Sequence, residues 1–537
     1  MYTQISQCRV CGNPNLVTVL ALGMQSMTGV FPRPETAESV TIGPLNLVKC
    51  YGDDSACGLL QLEHTYDPDE MYGDNYGYRS GLNTKMINHL RDKVAKICSE
   101  IEFQTGDVVI DIGSNDGTSL AAYPKDLTLV GIDPTIKKFK HYYEPHIHTV
   151  EDFFSAKAAQ TVIGIQKCKV VTSHSMLYDL EDPVKFAQEV RSVLADDGIW
   201  VFEQSYMPTM LERTAYDTVC HEHIEYYGFH QIEWILARAD LRAVDIEFND
   251  TNGGSFSVTA TPLANIRFAE TESVAKTRAN EIAQGLMDLE PYQTFANRVE
   301  ERRSELLLFV QEALKQGKRI CAAGASTKGN VLLQYTGLDA SMISAVAEIN
   351  PDKFGCVTPG SKIPIVNQPD LLSTFPDYLL VLPWHFRDFF LTGPQKNFYQ
   401  EVKLGIDLAE KKIAKSAGSD PKVLIFPMQP VISELSSFSN HRLNCPIIHF
   451  DVCPDNEADK DFEKFKRNPP DLVVLFDLGM SYIYSNEKAW RGGKISSYRK
   501  IQEFFLESGK YSTIKIVSSN SVNLSDVYIM VLKSGRD

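Results

Sequence analysis

From Tyr216 to Tyr227 the chain reads YDTVCHEHIEYY, setting His221, His223, Glu222, Glu225 and three tyrosines in one short segment. Histidine titrates near neutrality and a neighbouring carboxylate can fix its tautomer, so this density of titratable groups points to general acid–base chemistry. A catalytic metal fits less well. The H-E-x-x-H spacing is absent and no carboxylate cluster completes a site, although His221 and His223, two apart, would share one face of a strand. A second reactive set is sulfur: Cys8-Arg9-Val10-Cys11-Gly12 is a CxxC knuckle, and Cys50 and Cys57 supply a more loosely spaced second pair. Four thiolates would hold a zinc ion with no open coordination position, a structural metal and not a catalytic one. The alternative is that some of these are core thiols, since free cysteine packs as a small hydrophobe.

The third constellation is a loop. The run VVIDIGSNDG passes from an apolar strand through Asp111 to Gly113, Asn115 and Gly117, with a helix expected to begin near Thr118. Glycines let the backbone approach a ligand there. The spacing is not G-x-G-x-x-G, so a dinucleotide is poorly matched. The D-x-G-x-x-x-G form resembles the loop of S-adenosylmethionine-dependent methyltransferases. The next strand ends in Gly131-Ile132-Asp133-Pro134, where a carboxylate can accept both ribose hydroxyls. Glu151-Asp152-Phe153-Phe154 closes a third strand candidate. A later strand and small-residue loop, ICAAGASTKG, could bring backbone amides near a phosphate, with Ser326 in the loop and Lys328 adding charge. Glu348, at the end of SAVAEI, and Trp384-His385 in LPWHF would flank the same crevice.

These residues need elements to position them. A chain of 537 residues exceeds a single core. Residues 1–80, rich in Cys, Gly and Asp, read as a small zinc-stapled domain. A helix over about 83–101 leads into residues 81–263, where apolar runs (VVIDI, LTLVGID, KVVTS, GIWVFEQ) alternate with helical stretches, the pattern of a parallel α/β sheet. Residues 264–432 begin with long helices over 266–316 and continue with a second alternation (KRICAAGAS, ISAVAEI, YLLVLPW, VLIFPMQ), a second Rossmann-like domain. Residues 433–537 hold further strand candidates, PIIHFDV, DLVVLFDLG, STIKIVSS and DVYIMVLK, and read as an α/β extension with no nameable chemistry. The fold class is multidomain α/β.

Composition narrows the partners. A net charge of −16 opposes polyphosphate, so no nucleic acid is expected. No apolar run approaches the ~20 residues of a membrane span, and MYTQISQCRV has no basic region leading an apolar stretch, so a cytoplasmic protein with reduced thiols is expected. That context favours metal over disulfides for its clustered cysteines.

Taken in order, CxxC, YGYRSG, VVIDIGSNDG, YDTVCHEH and GASTKG…NPDKFG…PGSKIPI…LPWHF resemble the nucleotide-sugar C-methyltransferases over about residues 5–432. The resemblance implies a zinc-binding N-terminal domain, a central class I methyltransferase domain, and a C-terminal Rossmann-like domain that helps hold the nucleotide sugar. The implied cofactors are S-adenosylmethionine and structural zinc. The implied substrate is a thymidine- or guanosine-diphosphate-linked 4-keto-6-deoxyhexose, methylated at a ring carbon, most often C3, in branched deoxysugar biosynthesis for surface polysaccharide or glycosides. On the same ground His223 is the base that generates an enolate, Glu222 orients it, and Tyr76 and Tyr78 reach in from the first domain; packing between domains is the other reading of these tyrosines. Asp152, with Phe153 beside it, contacts adenine, and Asn252 lies near the sugar. Two departures stand out: Cys220 where the family often has tyrosine, and Tyr178 or Asp179 where it has histidine. A sugar O-methyltransferase and a zinc-containing binding protein are the competing functions, and a monomer or homodimer fits either.

Overall fold

In the computed structural model the described residues are 2–53, 55–67, 70–71, 79–372 and 376–383, followed by three strands at 472–476, 511–516 and 527–532. The chain divides into two units, Met1–Phe426 and Pro427–Asp537. No helix among the described residues is long and apolar enough to cross a membrane.

The first module is built on β1 Tyr2–Gln4, β2 Leu16–Ser26, β3 Ile42–Cys50, β4 Leu60–Leu62 and β5 His64–Tyr66. β2, β3 and β4 form an antiparallel sheet and β1 pairs with β5. Leucines spaced two apart (Leu20 and Leu22, Leu45 and Leu47, Leu60 and Leu62) put one face of the sheet into a common core. At its end the sulfurs of Cys8, Cys11, Cys50 and Cys57 all lie within 4.8 Å of one another. Cys8–Cys57 and Cys11–Cys50 are each separated by 3.5 Å. That is far beyond a disulfide of about 2.05 Å and close to the roughly 3.8 Å edge of a tetrahedral zinc–thiolate site. The buried Lys49 ammonium, held by the Gly58 carbonyl at 2.8 Å and lying over the Tyr292 ring, offsets part of the charge of four thiolates. The cluster fits the zinc that the sequence predicts.

The linking helix α1, Thr84–Glu100, is capped by the Asn83 side chain and buries Leu90, Val94 and Ile97 at helical spacing. The central module follows: β6 Val108–Ile112, β7 Thr128–Ile132, β8 His148–Val150, α2 Ala156–Ile163, β9 Cys168–His174, α3 Pro183–Val193, β10 Leu194–Ser205, α4 Met207–Arg213, β11 Glu225–Tyr226, α5 Phe229–Ala237, β12 Leu241–Asn249 and β13 Ser255–Pro262. Seven of these strands form one sheet, in the order β12-β13-β10-β9-β6-β7-β8, with β13 antiparallel to both its neighbours and β6 to β10 parallel. β6 is buried along its whole length, as a central parallel strand of Val and Ile must be. β11 leaves this sheet and pairs with β4, so the segment carrying His221 and His223 is clamped at its far end by the first module.

No α-helix begins near Thr118. The loop instead closes in a single 3-10 turn, Leu120–Ala122, because Asp116 draws in the Thr118 hydroxyl at 2.6 Å and Pro124 follows too soon for a helix to grow.

The third module adds α6 Glu272–Ala283, α7 Glu290–Lys315, β14 Ile320–Ala323, α8 Thr327–Thr336, β15 Val346–Glu348, β16 Ile365–Asn367 and β17 Tyr378–Val381. Its four strands are parallel in the order β16-β15-β14-β17, half of a doubly wound sheet. In the second unit β18 Leu472–Phe476, β19 Tyr511–Ile516 and β20 Val527–Leu532 pair antiparallel in the order β18-β20-β19. VLIFPMQ and PIIHFDV lie outside the described residues.

Metal analysis of the purified chain is expected to return one zinc per molecule. Cys57→Ser should lower both zinc content and Tm, the latter by more than about 5 °C. A zinc-free protein of undiminished stability would contradict a structural metal.

Candidate functional site

The cofactor loop leaves β6 through three left-handed residues, Gly113 at φ 72°, Asn115 at 53° and Gly117 at 76°. A Cβ at Gly117 would also sit 2.9 Å from the Tyr143 ring. Asp133, just past β7, accepts from Asn115 N at 2.9 Å and from the Thr135 amide and hydroxyl at 2.6 Å. A carboxylate has about four lone-pair positions, so one remains, for one ribose hydroxyl and not the two that the sequence suggests. Asp152 and Phe153 follow β8 and are exposed, Phe153 to 55%. Burial pushes Asp111 up to about 7, against the 2.6 Å hydrogen bond from Thr172. Residues 79–81 dock on this loop: Ser80 N donates to Asn115 Oδ1 and Gly81 N to Asp116 Oδ2, each at 2.9 Å, while Arg79 lies 3.8 Å from Asp116. The sequence reading passed over Asp116; its signal was the nearby YGYRSG motif. The arrangement fits S-adenosylmethionine, which supplies a sulfonium methyl when bound.

The segment after α4 turns at Thr214, in the left-handed region, and again in a 3-10 turn, Tyr216–Thr218. The Thr218 carbonyl then lies 3.2 Å from His223 Nδ1, and the imidazole packs on Tyr178 with ring centres 4.3 Å apart. A carbonyl can only accept, so Nδ1 carries the proton and Nε2 keeps its lone pair. Burial, and then the Lys328 ammonium, push His223 down to about 3, which leaves it neutral. Its orienting partner is therefore the Thr218 carbonyl and not the Glu222 carboxylate. Glu222 is pushed up to about 7 by burial, bonds Cys220, and occupies the space that a side chain at Gly29 would fill: a Cβ there would meet Oε1 at 1.8 Å. Asp179, buried at Oδ1, acts on Cys220 through space.

His221 does not share a strand face with His223, because the segment is irregular between the 3-10 turn and β11. It is 1% exposed, meets Tyr66 edge-on at 4.6 Å, and has Nδ1 3.4 Å from Thr28 N and Oγ1. The structure thus places His221, grouped by sequence with the catalytic residues, at the seam with the first module. Burial holds it neutral, at about 4.

Beside this segment Glu203 of β10 accepts from His89 Nε2 at 2.5 Å and Asn249 Nδ2 at 2.8 Å and pairs with Lys93 at 3.1 Å. Burial opposes its ionisation, but the His89 hydrogen bond and the Lys93 charge outweigh it and hold Glu203 down to about 2. The network ties α1 to the ends of β10 and β12, elements far apart in the chain.

From the third module, Ser326 caps α8 by accepting from Gly329 N at 3.1 Å. Lys328 Nζ donates to the Asn252 carbonyl at 2.7 Å, and Asn252 Nδ2 to Ser175 Oγ at 3.3 Å. Glu348 accepts from Ile349 N at 2.7 Å and Asn350 N at 3.0 Å at the end of β15. Lys353, unremarked in the sequence, braces the loop through the Ala325 carbonyl at 2.8 Å. Tyr76, Tyr78, Trp384 and His385 lie outside the described residues.

Two outcomes follow. Asp133→Asn should weaken S-adenosylmethionine binding roughly ten- to hundredfold by calorimetry, and removing the ribose hydroxyls should weaken the wild type but not the variant. His221, near 6.5 when unfolded and about 4 when folded, takes up a proton on unfolding between those values, so its stabilisation is present above pH 6.5 and lost as pH falls towards 4. The Tm deficit of His221→Asn should shrink over that interval; a constant deficit would refute a neutral buried imidazole.

Three family models match the chain in series: a zinc binding domain over residues 8–72, a methyltransferase domain over 82–246 and a C-methyltransferase C-terminal domain over 250–404. The C-methyltransferase NovU of Streptomyces niveus is 30% identical over 391 residues, which cover 71% of this chain and 90% of that protein. Among solved structures, the complex of the Haloferax volcanii Trm112 activator with a methyltransferase matches at 14% identity and TM-score 0.26, over 33% of this chain and 95% of that one. The mitomycin 7-O-methyltransferase MmcR matches at 12% identity and TM-score 0.27, over 34% and 55%. With the three modules in this order, and NovU matched over nearly its full length, the chain belongs to the C-methyltransferase family that its motifs resemble.

Proposed function

We propose that the chain transfers the methyl of S-adenosylmethionine to a ring carbon beside the ketone of a nucleotide-linked 4-keto-6-deoxyhexose, C3 being the expected position. The observation that carries this reading is His223, neutral, with Nδ1 committed to the Thr218 carbonyl and Nε2 bonded to no described residue. A carbon acid beside a ketone needs a base with an uncommitted lone pair; an alcohol oxygen, already nucleophilic, needs no enolate.

In this reading Nε2 takes the α-proton and the C–H electron pair moves into the ring as an enolate, whose carbon then meets the methyl in line. The chain's main contribution is placement: the loop from Gly113 to Gly117 with Asp133 holds one partner, and Asn252 of the central module with Ser326, Lys328 and Glu348 of the third holds the sugar nucleotide, Lys328 at its sugar end. Tyr76 and Tyr78 remain candidates for hydrogen bonding to the sugar. The low affinity for polyphosphate expected at net charge −16 suits a small, singly bound nucleotide. The nucleotide is thymidine or guanosine diphosphate. We assign the work to the cytoplasm, in branched deoxysugar synthesis.

Incubation of the purified chain with S-adenosylmethionine and enzymatically generated dTDP- or GDP-4-keto-6-deoxysugars, followed by NMR, should show a new methyl singlet on a quaternary ring carbon. His223→Ala should lower kcat by about 10²–10⁴ with S-adenosylmethionine affinity unchanged. A methyl found on oxygen would replace the enolate reading with an O-methyltransferase.

A further inference from the structure

Lys328 brings a cation from the third module to the His223 segment. Lys328 lies in the first turn of α8, and α8 packs on the Tyr216–Thr218 turn, where the rings of Tyr335 and Tyr216 lie 5.6 Å apart, and on the first module, where Asn330 Nδ2 donates to the Thr28 carbonyl at 2.7 Å. This is the turn whose Thr218 carbonyl fixes His223. The Lys328 side chain is half-buried, with its ammonium deep in the protein. Among the described residues the Asn252 carbonyl, 2.7 Å away, is its one hydrogen-bond acceptor, and no described carboxylate comes within ion-pair distance; Asp217 acts on it through space. An ammonium has three donors, so two remain open. A desolvated cation with open donors is a place for negative charge that comes with the substrate.

The corner that aims it is unusual backbone. Asn252 and Ser175 both have φ 55°, and they hydrogen-bond each other at 3.3 Å. Two non-glycine residues held left-handed in contact persist only where the surroundings over-determine them, and such strain gathers at functional sites. Ser175 directly follows β9 and Asn252 lies between β12 and β13, so one corner of the central module holds the ammonium that the third module supplies.

Resting on the enolate reading above, we propose that Lys328 is a catalytic residue whose ammonium takes the charge that grows on the ketone oxygen as His223 Nε2 removes the α-proton. The bookkeeping closes. The proton goes to Nε2, the C–H pair becomes the C=C bond, and the C=O π pair moves to an oxygen bound by a Lys328 N–H. When the enolate carbon takes the methyl, the C=O bond reforms and the sulfonium sulfur keeps the pair of the broken S–C bond. Preorganised donors aimed at such an oxygen act without reorganising as the charge appears. The substrate's diphosphate is the other anion this ammonium could hold, and the two roles fail at different steps.

The test separates enolisation from methyl transfer. The full-length protein, saturated with S-adenosylhomocysteine, is mixed in D2O with the 4-keto-6-deoxysugar nucleotide that the wild type methylates, and exchange of the α-proton is followed by NMR. Lys328→Met is expected to slow exchange and kcat by about 10²–10³, while the Kd of the matching nucleoside diphosphate changes by less than about threefold and S-adenosylmethionine binding is retained. Lys328→Arg, which keeps the charge and guards against a folding defect in the methionine variant, should restore exchange to within about tenfold. Undiminished exchange with a nucleoside diphosphate Kd raised tenfold or more would make Lys328 a diphosphate ligand and overturn the proposal alone. No exchange in the wild type, with methyl on oxygen, would remove the enolate reading itself.

Discussion

A single backbone acceptor, the Thr218 carbonyl, decides which nitrogen of His223 carries the proton. Backbone carbonyls cannot change protonation state, so this choice is fixed by geometry at any pH that leaves the fold intact. The geometry in turn needs the turn Tyr216–Thr218 held from every side. Tyr216, Asp217 and Thr218 are all buried, α8 of the third module covers the turn, and β11 anchors the other end of the segment in the sheet of the first. The three modules are thus arranged around one hydrogen bond.

Burial at this centre works in both directions. It suppresses charge on His223 and His221 and raises Glu222 to about 7 and Glu225 to about 8, so most of the segment rests neutral. A neutral, poorly solvated centre leaves any charge that does form with few partners, and strengthens whatever partners it has. Glu203 shows the opposite arrangement, with His89, Lys93 and Asn249 satisfying its carboxylate and keeping it ionised. The end of β10 therefore carries a carboxylate held ionised by its partners, while the His223 segment is held neutral by burial.

Much of the fold was legible because it rests on local pattern. VVIDI, LTLVGID, KVVTS and GIWVFEQ lie on β6, β7, β9 and β10, and the four cysteines gather as their spacing suggested. The helix expected near Thr118 failed because Asp116 and Pro124, two residues outside the glycine pattern, decide how the loop ends. The site was legible in its residue types but not in its partnerships. Every residue has a carbonyl, so nothing in the letters marked Thr218 as the one that meets His223, and adjacency made Glu222 the natural choice. His221 and His223 stand two apart in sequence yet face different modules, because the segment is not a strand. Contacts such as Ser80 with Asn115, or Lys328 with Asn252, join positions far apart in the chain and leave no periodic trace.

Gly29 belongs to the zinc-stapled module, yet the space above its Cα is taken by a carboxylate oxygen of Glu222, from the methyltransferase module. Any side chain at position 29 would have to displace that carboxylate from its place beside Cys220. The boundary between these two modules is consequently a shared steric surface, on which drift in one sequence is limited by the other. Recombination that exchanged the zinc module alone would preserve this contact only where the incoming chain also leaves that space empty.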